Sequence, residues 1–166
     1  MSVFSPRSPL HDAAQDTDGP TRVVIVDDHA LLRAGTRQIL DSDGSMAVVG
    51  EASDGISALS VVDETRPDVV LVDIRLPDGN GIDLARRIAS GHPQTTVVIL
   101  SAYDDDDYVQ AAIGAGVSGY LLKTMPGEEL VRAIRAARSG TTVLDPAVTA
   151  RLANPRQPRP ANRETS

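Results

Sequence analysis

Short apolar runs alternate with amphipathic stretches through the middle of the chain, and the alternation repeats five times. Val23 to Val26, Ala47 to Ala52, Val69 to Val72, Thr95 to Leu100 and Val117 to Leu122 are brief, rich in β-branched residues and closed by turn or polar residues. That is the pattern of strands buried on both faces. Between them the apolar positions fall at helical spacing. His29 to about Leu40 reads as a helix with Leu31, Leu32, Ile39 and Leu40 turned inward, and Ser53-Asp54-Gly55 starts a short helix carrying Ile56, Leu59 and Val62. Gly81, Leu84, Ala85 and Ile88 make the next stripe. The run Asp104 to Asp107 opens a helix with Val109, Ala112, Ile113 and Gly116 inside, and Leu130, Ala133, Ile134 and Ala137 line the last one. Five strand-then-helix units predict an α/β domain: a five-stranded parallel sheet, doubly wound, with helices on both faces and right-handed crossovers. The expected strand order is the known one for open sheets of this size, 2-1-3-4-5.

The ends differ from the middle. Residues 1 to 20 carry Pro6, Pro9, Gly19 and Pro20 among small polar residues without an apolar period, and are expected to be a disordered leader. From Asp145 on, Pro146, Pro155, Pro158 and Pro160 are mixed with Arg and small residues, so 141–166 is expected to be a linker. The folded domain is then 21–140.

Composition narrows the chemistry. Hydrophobic residues make up 41% of the 166, enough for a core, and aromatics 2%, so the core must be aliphatic. The absence of cysteine excludes disulfides and thiolate metal sites. No stretch approaches the roughly 18 apolar residues of a membrane span, which points to a cytoplasmic protein without membrane contact. Residues 21 to 144 hold 11 basic against 18 acidic side chains, a poor surface for phosphate backbones; contact with DNA would need another domain.

The informative positions lie where strands end. Strand one runs into Asp27-Asp28, strand three into Asp73, strand four into Ser101 and strand five into Lys123, the only lysine in the chain. In an open α/β sheet these carboxyl ends border one crevice. Taken singly, Asp28 reads equally well as a helix cap and Asp73 as turn chemistry before Pro77-Asp78-Gly79; Ser101 alone reads as a cap. Taken together, carboxylates about 5 Å apart repel by roughly 3 kcal/mol per pair at an effective dielectric near 20. A hard divalent cation resolves that, and Mg2+ is the one bound through few carboxylates, waters and a phosphate. Asp73 would then attack phosphorus in line, with the metal and the Lys123 ammonium on the equatorial oxygens. The acids at 104 to 107 suit a helix start and need no ligand.

The acid pair, Val72-Asp73-Ile74-Arg75-Leu76-Pro77-Asp78-Gly79-Asn80-Gly81, Ser101-Ala102 and Lys123 stand in the order and spacing of the receiver domain of bacterial two-component response regulators, which residues 21 to 140 resemble. The stretches from Val26-Asp27-Asp28-His29 through Arg33-Ala34-Gly35 and from Gly114-Ala115-Gly116 through Gly119-Tyr120-Leu121-Leu122-Lys123 are most similar to the NarL/FixJ type, where a LuxR-type helix-turn-helix domain usually follows. The resemblance implies a flavodoxin-like fold and phosphate transfer to Asp73 from a histidine kinase. It implies Mg2+ held by Asp28, Asp73 and the Arg75 carbonyl, with Asp27 acting through water. Ser101 and Lys123 would take the phosphoryl oxygens, and Tyr120 would follow Ser101 inward. A homodimer on phosphorylation, and transcriptional output through a DNA-binding domain beyond this chain, are further implications; the chain reads as cut before that domain rather than as a stand-alone receiver. The family commonly has Pro after its lysine, often with a cis bond, where this chain has Thr124.

Two other readings compete. One is a Mg2+-dependent phosphatase or phosphotransferase working through an aspartyl phosphate; such enzymes commonly place an acid two residues after the nucleophile, where this chain has Arg75. The other is a degenerate receiver that only binds partners, against which the intact acid pair, Asp73 and Lys123 argue. The expected protein is a phosphoacceptor switch rather than a turnover enzyme.

Overall fold

The computed structural model describes residues 19–103 and 105–153. Most of the expected leader, the far part of the expected linker and Asp104 therefore lie outside the described residues. In chain order the elements are β1 (Thr21–Val26), α1 (Ala30–Ser42), β2 (Met46–Ala52), α2 (Gly55–Thr65), β3 (Val69–Val72), β4 (Arg75–Leu76), β5 (Gly79–Asn80), α3 (Gly81–Gly91), β6 (Thr96–Ser101), α4 (Asp106–Gly114), β7 (Gly119–Leu122), α5 (Gly127–Arg138), β8 (Val143–Leu144) and α6 (Pro146–Ala153).

The main sheet is parallel throughout, in the order β2-β1-β3-β6-β7-β8. Its first five members reproduce the expected order. The sixth corrects the expected count of five: Val143 and Leu144 pair with Gly119 and Tyr120 at the edge. The stretch after residue 140, expected as linker from its prolines, carries β8 and then α6. Pro146 stands at the first position of that helix, where its missing N–H costs nothing. Asp145 supplies the cap, its Oδ1 accepting from Ala147 N at 3.0 Å.

Alternation along the strands divides the core in two. Val24, Val26, Val70, Val72, Val97, Ile99 and Tyr120 face α2, α3, α4 and α6. Val23, Ile25, Val69, Leu71, Val98, Leu100 and Leu121 face Leu40 of α1 and the apolar stripe of α5. The stripes expected for α3 and α5 are buried as read.

Three other stripes need correction. Leu31 is 86% exposed, and Leu32 and Ile39 are also exposed, leaving Leu40 as the one buried residue of α1. Arg33 and Arg37 of α1 pair their guanidinium groups with Glu51 on β2. Ile56, in the first turn of α2, and Ile113 are exposed as well. Gly116, expected on the inner face of α4, lies beyond its end with φ +92.

Candidate functional site: an acidic pocket at the carboxyl edge

Continuation of the strand ladder brings the polar ends together. Val26 pairs with Val72, and Asp73 N then donates to Val26 O at 3.0 Å, so Asp27 and Asp73 leave neighbouring strands at one level. Ser101 pairs with Leu122, and Lys123 N donates to Ser101 O at 2.8 Å. β2 and β3 lie on opposite sides of β1, so this pocket is at the switch point of the sheet.

The Lys123 ammonium reaches Asp73 Oδ2 and Asp27 Oδ2, each at 3.0 Å. Asp27 and Asp73 are each 4% exposed. Burial pushes the Asp73 carboxyl above its ordinary range; the hydrogen bond and charge of Lys123 oppose the rise and the Asp27 charge adds to it. Burial works against the Lys123 ammonium, but the two carboxylates outweigh it and hold its pKa above the ordinary value. Asp28, partly exposed, completes the acidic set on the solvent side, and Asp27, Asp28, His29 and Asp73 each place a ligand atom within 4.8 Å of the others.

Those residues fit a hard divalent cation. Three carboxylates against one ammonium leave a formal charge of −2. Lys123 occupies the Oδ2 atoms of Asp27 and Asp73, while among the described residues Asp73 Oδ1 receives a long bond from Arg75 N, at 3.4 Å. Oxygen donors with spare lone pairs are what Mg2+ takes.

Ser101 is fully buried, and its Oγ accepts from Tyr103 N at 2.9 Å. Tyr120 is also fully buried, and its hydroxyl donates to Tyr103 O at 2.6 Å. Both expected switch residues thus meet at the Tyr103 backbone. The Arg75 guanidinium lies over the Tyr103 ring, 4.5 Å from its centroid, and that ring meets Tyr108 of α4 edge-on. The Lys123-Thr124 peptide is trans.

Sequence reasoning missed four contributors. His29 Nδ1 lies 3.3 Å from Asp27 Oδ1 and 3.2 Å from Asp28 Oδ1; its place directly after the acid pair was the available signal. Arg33 donates to the Asp27 carbonyl, and Tyr103 links the switch residues; neither had a signal in spacing. Gly81 did have one, as a glycine opening a helix. A Cβ there would fall 1.9 Å from the Asp73 carbonyl oxygen, so α3 can start against the site only at a glycine.

A doubly wound parallel sheet with a buried carboxylate pair bridged by an ammonium at its switch point defines a receiver-type α/β domain. The chain belongs to the response regulator receiver domain family, whose model matches residues 23–135. It is 42% identical over 131 residues to the DNA-binding transcriptional activator DevR/DosR of Mycobacterium tuberculosis, covering 79% of this chain and 60% of that one. It is 36% identical over 138 residues to the transcriptional regulatory protein DegU of Brevibacillus brevis, covering 83% and 58%. The chain thus spans about three fifths of the length of these curated relatives. Among solved structures it is similar to a LuxR-family two-component response regulator from Aurantimonas, with a TM-score of 0.78, 33% identity and coverage of 82% of this chain and 98% of that one. No described helix is long and apolar enough to cross a membrane.

Proposed function

We propose that Asp73 accepts a phosphoryl group from the phosphohistidine of a histidine kinase, and that the phosphorylated domain controls a transcriptional output in the cytoplasm through a DNA-binding domain beyond this chain. The observation that carries the reading is the Lys123 ammonium shared between buried Asp27 and Asp73 at the switch point. Asp28, Asp73 and the Arg75 carbonyl would hold Mg2+, with Asp27 acting through water. When bound, the ion supplies charge neutralisation for the incoming phosphoryl oxygens. In the transfer a carboxylate oxygen of Asp73 forms the new P–O bond as the P–N bond breaks, and the leaving imidazole takes up a proton. Lys123 opposes the rise in the Asp73 pKa that burial causes and would take a phosphoryl oxygen afterwards.

The product adds a charge of about −1.5 to −2. Ser101 Oγ accepts from Tyr103 N and still has a proton to donate, since a hydroxyl can do both. Recruiting Ser101 to the phosphoryl group would move Tyr103, and with it the bond from Tyr120 and the ring under Arg75 beside α4. A shifted α4 surface is what a second copy, forming a homodimer, would read.

Incubation with acetyl phosphate and Mg2+, followed by intact-mass spectrometry, tests this. One phosphoryl group per chain, reaching a plateau and absent in Asp73→Asn, is the expected result. Continued release of phosphate over many turnovers would establish a phosphatase instead, and no labelling would leave a binding module.

A further inference from the structure

The hairpin of β4 and β5 comprises two residue pairs, Arg75 with Asn80 and Leu76 with Gly79, too few to hold a defined shape by themselves. Asp78, in its turn, reaches across to another element. Its Oδ1 accepts from Gly55 N at 2.8 Å and its Oδ2 from Ile56 N at 3.0 Å. The cap residue of that helix, Asp54, accepts from Ser57 N at 2.7 Å. The free N–H groups of the first turn of α2 are therefore divided between a local carboxylate and one from the hairpin, 23 residues away. A carboxylate at a helix N-terminus is favoured by the dipole as well. Gly55 leaves room for this approach, since a Cβ there would come within 3.3 Å of Asp78 Oδ1.

The same hairpin carries Arg75, whose N–H reaches Asp73 Oδ1, and it ends on Asn80, whose side chain accepts from Ile82 N at 2.6 Å to cap α3. One end of the loop is thus anchored at Asp73 and β3, the other at α3, and the turn between them at α2. We propose that Asp78 is a positioning residue for the metal pocket: by docking the turn on α2 it sets where the Arg75 carbonyl stands relative to Asp73. The inference rests on the reading of Asp73 and Mg2+ given above. The two α2 amides also hold the Asp78 carboxyl below the ordinary carboxylate range. Groups that orient metal ligands without touching the metal commonly contribute about tenfold or more to affinity.

Titration calorimetry with MgCl2 on the full chain, alongside acetyl phosphate labelling and thermal unfolding, tests it. In Asp78→Ala the Mg2+ dissociation constant is expected to rise about tenfold. Asp78→Asn, which keeps one acceptor, should fall between that and wild type. Faster amide exchange at Gly55 and Ile56 should accompany both changes, and labelling at saturating Mg2+ should stay near the wild-type level. An unchanged Mg2+ constant in Asp78→Ala, with wild type still labelled on Asp73, would overturn the inference alone, whatever happens to the melting temperature. Wild type that binds no Mg2+ or is not labelled on Asp73 would overturn the underlying reading and the inference with it.

Discussion

Lys123 Nζ stands 3.0 Å from Asp73 Oδ2, joining residues 50 apart in the sequence across the ends of β3 and β7. The contact closes a site that is poorly balanced without a cation, because the second carboxylate, Asp27, is as deeply buried as the first. Removing the ammonium leaves two buried like charges facing one another. Lys123→Met is expected to lower unfolding stability by about 2 to 3 kcal/mol at neutral pH, somewhat less than for a fully enclosed pair because the pocket is open on the Asp28 side. Urea unfolding of the two proteins measures it, and a loss below about 0.5 kcal/mol would contradict the electrostatic role.

The raised pKa of Asp73 predicts a pH dependence with a definite sign. Above the ordinary carboxylate value and up to the raised one, the folded state binds more protons than the unfolded state, so this group's contribution to stability falls as pH rises through that window. Asp73→Asn lacks the penalty. Its stability relative to wild type should therefore increase as pH rises through the carboxylate range and then level off. Saturating Mg2+ should narrow the gap by stabilising wild type, with roughly 100 times the dissociation constant contributing about 2.7 kcal/mol. Thermal unfolding of both proteins at several pH values, with and without MgCl2, tests the sign.

Gly81 permits α3 to begin against the Asp73 carbonyl, where no Cβ fits. The three nearest neighbours are all backbone atoms that cannot rotate away, so Gly81→Ala must displace the helix start or the strand end. A loss of about 3 kcal/mol or more is expected, with reduced labelling at Asp73 in whatever fraction folds. Gly91→Ala, where nothing lies within 4 Å of the added atom, serves as the control in the same denaturation series.

Asp145 joins α6 to the end of β7, beside Lys123. Its N–H donates to Tyr120 O at 2.8 Å, its Oδ2 accepts from Leu122 N at 3.0 Å, and its Oδ1 caps α6. Val148 is buried in the core, and Arg151 faces Asp106 of α4 at 3.8 Å. Asp145→Ala removes the cap and leaves Leu122 N unpaired, an expected cost of about 1 to 2 kcal/mol. Hydrogen exchange should accelerate across residues 145–153 and at Leu122 while amides of β1 and β3 remain protected.

Much of this protein can be read from local pattern because its dominant forces are local in sequence. Runs of Val, Ile and Leu bounded by turn residues identify buried strands, and the five-fold alternation leaves few sheet topologies. The side chains of the candidate site were legible because they fall at strand ends, and the uniqueness of Lys123 marked it out. Pattern failed where a distant partner decides. On α1, Leu31, Leu32 and Ile39 stay exposed, while Arg33 and Arg37 pair with Glu51 on another strand. Val143 to Ala153 looked like linker because proline and arginine dominate its surroundings. Its place at the sheet edge depends on Asp145 meeting Leu122, and on Val148 finding the core beside α4. Which oxygen of Asp73 the ammonium takes, the meeting of Ser101 and Tyr120 at Tyr103, and the reach of Asp78 to α2 likewise exist only once separate segments are packed. The reason is physical: apolar periodicity is written by each residue's own preference for water or core, whereas a hydrogen bond between remote segments requires both partners to be in place.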